Sequence, residues 1–129
     1  MMQSLHGFDQ NTYRLAVTQL DAAYIQHKGI AANIANKEVP GYQRVKVSNE
    51  FGKNLQEYWR QGRAHDLSQL RPELVADTAA PIVRPDGNNV SLEDELLQLS
   101  NNNLQFEFGS EVISDSLHQL QVAITGRTQ

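Results

Sequence analysis

The strongest constraint on the fold is a regular spacing of apolar residues in two proline-free segments near the ends of the chain. Proline is absent from residues 10–36 and from residues 91–125. In both segments apolar side chains recur alternately three and four residues apart, which is the spacing of one face of an α-helix. The sequence therefore predicts a helix over 10–36 and a longer helix over 91–125. A seven-residue repeat sustained in this way is typical of a coiled-coil seam.

These apolar rows also identify the residues predicted to pack the helices. In the second helix the spacing holds over ten positions, of which Asn103 and Ser110 are polar. Ser91 is placed to cap the start of this helix and Gly126 to end it. Further apolar residues lie on the far side of each helix, so a two-helix hairpin would leave apolar surface exposed, as is typical of a subunit buried in an assembly. The predicted packing residues are Tyr13, Val17, Leu20, Tyr24 and Ala31 in the first helix and Leu92, Leu96, Leu99, Phe106, Ile113, Leu117, Leu120 and Ile124 in the second.

The segment between the two helices is predicted to be irregular. All four prolines lie within residues 37–90. Val39–Tyr42 places proline and glycine where a type II turn requires them. The alternation around Val45 and Val47 predicts a short extended or β piece, and apolar residues four apart predict a short helix over Phe51–Trp59. The chain as a whole is predicted to be mainly α, with its two long helices packed as an antiparallel coiled-coil hairpin.

Composition excludes several classes of function. The chain has 129 residues, which fit a single domain over 1–129. Its 11 basic and 15 acidic residues give a net charge of −4, which argues against a nucleic-acid binder. The absence of cysteine excludes disulfides, thiolate metal sites and cysteine nucleophiles. No histidine pair has metal-ligand spacing, and no nucleophile elbow, P-loop or dinucleotide motif is present, so the sequence predicts no catalytic, metal or cofactor-binding residue and no small-molecule substrate.

Acidic and basic residues are separated along the chain. Residues 88–125 contain six acidic residues and no Lys or Arg, whereas residues 37–63 contain six basic residues. Two interpretations follow from this separation. The charges either cover two solvated faces, or they form complementary contacts between neighbouring copies or partners.

The end of the first predicted helix carries the most specific motif. Asn33 and Asn36 are placed to satisfy free carbonyl groups of the last turn. The spacing A-N-I-A-N-x-x-x-P-G-Y closely resembles the signature of bacterial flagellar axial proteins, which are the rod, hook and hook-associated subunits. Threonine commonly precedes the proline in that family, whereas Val39 stands here, and residues 86–95 resemble the segment that opens the last helix of the proximal rod subunits. The matching motif residues are Asn33, Ile34, Ala35, Asn36, Pro40, Gly41 and Tyr42.

The resemblance implies a structural role without catalysis. It implies a subunit of the proximal rod of the flagellar basal body, whose terminal helices pack into the axial drive shaft and the wall of the export channel. The implied partners are other rod proteins, further copies of the chain, and proteins of the export gate and the membrane-ring junction. The implied location is the periplasmic rod, reached through the flagellar type III apparatus. Residues 1–6 contain no basic n-region and no apolar h-region, so no cleaved signal peptide is expected.

Two other functions are compatible with parts of the sequence. A coiled-coil adaptor or secretion chaperone that shares only the helix-turn motif would be a well-folded dimer by itself. A small enzyme would need a pocket, and a chain that places most of its apolar residues on two long helices has few left to build one.

Overall fold

The computed structural model describes residues 9–126, and the N-terminal stretch for which no cleaved signal peptide is expected lies outside the described residues. The prediction of a mainly helical chain with two long terminal helices and a short β piece between them is confirmed. In chain order the elements are helix α1 (Gln10–Ala35), strand β1 (Val45–Val47), helix α2 (Asn49–Arg60), a 3-10 helix (Ala64–Gln69), strand β2 (Leu74–Ala76) and helix α3 (Leu92–Thr125).

Helices α1 and α3 lie against each other and run in opposite directions. Asn33 near the end of α1 contacts Glu95 near the start of α3. Asn102 in α3 donates to the Ala23 carbonyl, which lies earlier in α1. With 26 residues α1 is about 39 Å long, and with 34 residues α3 is about 51 Å long. Both ends of α3 are capped as predicted, since the Ser91 side chain accepts a hydrogen bond from the Asp94 N–H and Gly126 adopts a left-handed conformation.

The seam between α1 and α3 is built from small and polar residues rather than from the predicted apolar row. The buried positions of α3 follow one another at intervals of seven residues, and they are Glu95, Asn102, Gly109 and Ser116. A Cβ atom at Gly109 would lie 3.2 Å from Cγ of Leu20, so the absence of a side chain allows the two helices to approach closely. The polar residue inside the seam is therefore Asn102, whereas Asn103, the predicted seam position, is exposed.

Most of the predicted packing residues lie outside this seam within the chain, so their role in helix packing stays a prediction. These residues do lie in helices, as their spacing predicts. Within the chain, however, α1 and α3 meet along the neighbouring row of smaller side chains. Tyr24 is 51% exposed, Leu96 50% and Ile124 74%. Val17, Ala31, Leu92, Phe106 and Leu117 are also exposed, whereas Tyr13, Leu20, Leu99, Ile113 and Leu120 are half-buried.

A two-stranded antiparallel sheet packs on α1 next to the seam. Val45 pairs with Ala76 and Val47 pairs with Leu74. A Cβ atom at Gly29 of α1 would lie only 2.8 Å from a methyl group of Leu74, so this glycine lets the sheet approach the helix. The strand β2 falls in a stretch where the sequence shows no clear period, because a strand of three residues is too short to produce one.

The predicted type II turn at the end of α1 is confirmed. The Tyr42 N–H donates to the Val39 carbonyl at 3.2 Å, and Gly41 has φ of +76°. No atom outside its chain neighbours lies within 4 Å of a Cβ built on Gly41, so a side chain there would meet backbone strain and no steric clash.

Replacing Gly41 tests this turn directly. We expect Gly41→Ala to lower the free energy of unfolding by about 1 kcal/mol and Gly41→Val by about 1–3 kcal/mol, because both residues disfavour positive φ. Gly52 within α2 is the matched control, since it has the same open space and an ordinary helical backbone. Gly52→Ala should raise the free energy of unfolding by about 0.5–1 kcal/mol. Urea unfolding measures all three variants, and a Gly41→Ala variant as stable as wild type would contradict the assignment.

Candidate functional site: a buried polar junction and two exposed apolar faces

The centre of the molecule is a fully buried asparagine from the helix-turn motif. Asn33 is 0% exposed and uses its complete hydrogen-bonding capacity. Its amide nitrogen donates to the Val45 carbonyl at 2.9 Å and to Oε1 of Glu95 at 3.0 Å. Its amide oxygen accepts from the Val45 N–H at 2.8 Å and from the Tyr42 hydroxyl at 3.1 Å. One side chain thereby joins α1, the turn, β1 and α3.

Two amide side chains of α1 pair with the edge of β1 that faces the helix. Asn33 bonds both the N–H and the carbonyl of Val45, as a neighbouring strand would. Seven residues earlier, Gln26 accepts from the Val47 N–H at 3.2 Å. Side chains thus satisfy the N–H and carbonyl of Val45 and the N–H of Val47 on this edge, as burial of backbone polar groups requires.

A chain of ion pairs continues from Asn33 through the junction. Glu95 is 0% exposed, and its Oε2 accepts from Nε of Arg44 at 2.8 Å. The same guanidinium donates through Nη1 to Asp77, which also lies 3.7 Å from the Lys46 ammonium. Two buried carboxylates are thus balanced by two basic side chains, as buried charge requires.

The electrostatic surroundings shift several pKa values in this junction. Burial acts to lower the pKa of Arg44, but hydrogen bonds and attraction from Glu95 and Asp77 outweigh burial and raise it above its ordinary value. Burial acts to raise the pKa of Asp77, but Arg44 and Lys46 outweigh it and hold the pKa below its ordinary value. Burial, and next the charge of Glu95, raises the pKa of Tyr42. The junction is therefore most stable when Arg44 and Asp77 are charged and Tyr42 is neutral.

Two further asparagines fix the segment that leads into α3. Asn88 is 0% exposed and donates to the carbonyls of Asn36 and Val39, at 3.0 and 2.8 Å. Asn89 accepts from the Arg44 N–H at 2.6 Å and donates to the Asp77 carbonyl at 3.3 Å. These contacts hold the segment before α3 against the turn that follows α1. We name the buried polar cluster of Asn33, Tyr42, Arg44, Asp77, Asn88, Asn89 and Glu95 the polar junction.

The motif residues have different roles within this arrangement. Asn36 donates to the Ala32 carbonyl at 2.8 Å, so the prediction that it satisfies the last turn of the helix is confirmed. The same prediction is wrong for Asn33, whose amide bonds β1 and α3 instead. Pro40 and Gly41 lie exposed in the turn, Tyr42 bonds Asn33, Ile34 is half-buried and Ala35 is exposed. Arg44, Asp77 and Glu95 also belong to the junction, and no local sequence pattern predicts that these three side chains meet.

Exposed apolar residues form two faces on either side of the helix pair. On one side Tyr24, His27, Asn103 and Phe106 line a groove of about 270 Å³, and we name this side the Tyr24 face. On the opposite side a groove of about 460 Å³ lies between α1, α2 and α3, and we name this side the α2 face. Its lining includes Phe51 and Leu55 of α2 and Phe108 of α3, which is 69% exposed. Surfaces of this kind are typical of protein contacts.

Within residues 9–126, no three or more His, Cys, Asp and Glu side chains lie together in a way that could hold a metal ion. In the same part of the chain, no helix combines the length and the apolar character needed to cross a membrane.

Comparison with known proteins gives consistent matches over most of the chain. A FlgB from Borrelia hermsii is 26% identical over 85% of this chain and 93% of its own length. The FlgB of Bacillus subtilis is 26% identical over 83% and 88%, and that of Salmonella typhimurium 26% over 75% and 80%. All are named flagellar basal body rod protein FlgB. The chain resembles FlgB. No protein-family model matches it.

The similarity to FlgB agrees with the family that the helix-turn motif indicates. The motif was identified on residues 31–42, whereas the matches to FlgB extend over 75–85% of the chain. The chain is thus similar to structural proteins of the flagellar basal body rod.

The two motif asparagines provide a matched test of the polar junction. Asn33→Ala leaves the backbone groups of Val45 and one oxygen of Glu95 without these partners, so we expect a loss of about 2–4 kcal/mol in the free energy of unfolding. Asn36→Ala removes an interaction with the Tyr42 side chain and one bond to the Ala32 carbonyl, which also accepts from the Asn36 N–H. Its cost should be about 1 kcal/mol or less. Urea denaturation compares the two, and equal losses would show that Asn33 has no special role.

The lowered pKa of Asp77 predicts a loss of stability in acid. The ion pairs of Asp77 contribute stability that is fully present above its ordinary pKa of 3.8. This contribution is lost as pH falls through the lower pKa of the folded state. We expect the difference in unfolding free energy between wild type and Asp77→Asn to be constant between pH 5 and 7 and to shrink below about pH 4. Urea unfolding across this range measures it, and a difference that does not change with pH would refute the assignment.

Proposed function

We propose that the chain is a structural subunit of the proximal rod of the bacterial flagellar basal body. Its terminal helices would pack with those of its neighbours to form part of the axial drive shaft and of the export-channel wall. Similarity to curated FlgB proteins over most of the chain supports a structural role in the rod. The observation that carries the proposal is the placement of large apolar residues on the outside of the helix pair, where neighbouring proteins can cover them.

The polar junction suits a component that transmits torque. It ties the end of α1 to the start of α3 through a buried amide and a buried ion pair. Such fully bonded clusters fix one arrangement of the elements around them. A load applied to one helix is therefore passed to the other through these bonds, at the end of the helix pair near Glu95.

The proposed partners are other rod proteins, further copies of this chain, and proteins of the export gate and the membrane-ring junction. The proposed location is the periplasmic rod, reached by flagellar export without a cleaved signal peptide. The acidic net charge of −4 suits contacts with proteins rather than with nucleic acid.

The location is tested with a tagged copy in a flagellated strain that lacks its own gene for this chain. We expect the tagged chain to restore motility and to copurify with isolated basal bodies. Tagged protein that is missing from basal bodies and forms a discrete dimer in the cytoplasm would favour the coiled-coil adaptor or secretion chaperone instead.

A charge on the Tyr24 face tests whether that face is covered in the assembly. Phe106→Asp should leave the helix content of the isolated chain unchanged, because Phe106 is already 45% exposed. It should sharply reduce recovery of the chain in basal bodies, because a buried unpaired carboxylate is costly. Gln56→Glu adds the same charge to an exposed position of α2, outside α1 and α3, and should be recovered normally. Equal recovery of both variants would show that the Tyr24 face stays in water.

A further inference from the structure

We propose that the outer side of α1 in one copy docks on the outer side of α3 in the next copy, through matched rows of charge seven residues apart. The proposal rests on the proposed rod function for the relative direction of the copies. Both rows lie on the sides of their helices that point away from the α1–α3 seam. We name them the α1 row (Arg14, Asp21, Lys28) and the α3 row (Glu93, Ser100, Glu107).

The charges of these rows are exposed and form no ion pair within the part of the chain that the structure describes. All six side chains are exposed. No ion pair among residues 9–126 involves either base of the α1 row or either acid of the α3 row. Lys28 lies over the ring of Tyr24, 4.8 Å from its centre, which holds its ammonium group on this side of α1. The described chain therefore presents two unpaired bases on one helix and two unpaired acids on the other.

The spacing of the two rows is the same. Arg14 and Lys28 are fourteen residues apart, as are Glu93 and Glu107. Two heptads of helix span about 21 Å, so both pairs of opposite charges can meet at once. At the midpoints stand Asp21 and Ser100, and a serine hydroxyl can donate to a carboxylate.

Exposed apolar residues border each row and supply the surface that such a contact would bury. Beside the α1 row lie Val17 and Tyr24, which are 43% and 51% exposed. Beside the α3 row lie Leu97 and Leu104, which are 60% and 62% exposed. Surface ion pairs alone contribute little to stability, so the charges set register and partner while the apolar residues favour association.

The direction of the contact follows from the fold. In a rod whose copies all point the same way, α1 of one copy runs antiparallel to α3 of the next, as the two helices do within one chain. Arg14 then lies opposite Glu107, Lys28 opposite Glu93, and Asp21 opposite Ser100. Because the two rows are different and lie on opposite sides of the helix pair, the contact is head-to-tail and continues from copy to copy.

The absence of cysteine makes this geometry measurable with introduced thiols. Asp21→Cys and Ser100→Cys are made separately in the purified full chain, mixed, and treated with a mild oxidant over a range of concentrations up to the solubility limit. We expect the mixture to give a disulfide dimer, each variant alone to stay monomeric, and the double variant to give a ladder. Gln98→Cys, which is exposed on the opposite side of α3 from Ser100, should cross-link to Asp21→Cys at much lower yield.

Charge reversal provides the second measurement. When Arg14→Glu and Lys28→Glu are added to the Asp21→Cys chain, the yield of the mixed disulfide dimer should fall by roughly tenfold or more. Glu93→Lys with Glu107→Lys in the Ser100→Cys chain should restore it. Circular dichroism of each exposed-site variant verifies the helix content.

Three results would overturn the inference. Dimers of Asp21→Cys alone would show a symmetric contact. The absence of a mixed dimer would show that a second copy does not occupy this surface. A loss of the mixed dimer on charge reversal that the second reversal does not restore would show that these charges do not pair. These results are independent of recovery in basal bodies, which tests the rod location by itself.

Discussion

The rest of the structure depends on one buried carboxamide. Asn33 lies at 0% exposure among polar groups that come from four different parts of the chain. An amide is the one neutral side chain with two donors and two acceptors, and here each finds a partner. Without Asn33, buried backbone and carboxylate groups would lose a hydrogen-bond partner. The sheet, the turn and α3 therefore hold their positions relative to α1 through this residue.

Around this centre the chain reverses the usual distribution of side chains. Its helix seam contains Asn102, Gly109 and Ser116, while residues as large as Phe108 are 69% exposed. Small residues allow close approach of the helices but bury little apolar area, and the hydrophobic effect scales with that area. The apolar residues that could stabilise a monomer are thus available to its neighbours, which links the stability of the helix pair to its assembly.

The sequence predicted the helices, the turn and the caps because these depend on local chemistry. Ser91 and Gly126 cap the ends of the helix that they adjoin, and Gly41 adopts positive φ within its own turn. The polar junction could not be predicted from the sequence, because Asn33 and Glu95 are 62 residues apart. In addition, a glutamate in the first turn of a helix is ordinarily expected to face solvent. The seam was misassigned for a related reason. Hydrophobic spacing finds apolar rows, but it does not tell which row faces a helix of the same chain.

The position of the polar junction gives the helix pair unequal stiffness along its length. Near Glu95 the helices are held by directional bonds, whereas past Asn102 only Gly109 and Ser116 occupy the buried row. Leu20 packs against Gly109 there, but no side-chain hydrogen bond among residues 9–126 joins Gly109 or Ser116 to α1, so a small increase in separation breaks no directional bond. The helix pair is therefore held firmly near Glu95 and more loosely near Ser116. In the proposed rod, this difference in stiffness would let identical copies adjust to neighbours that are not identical.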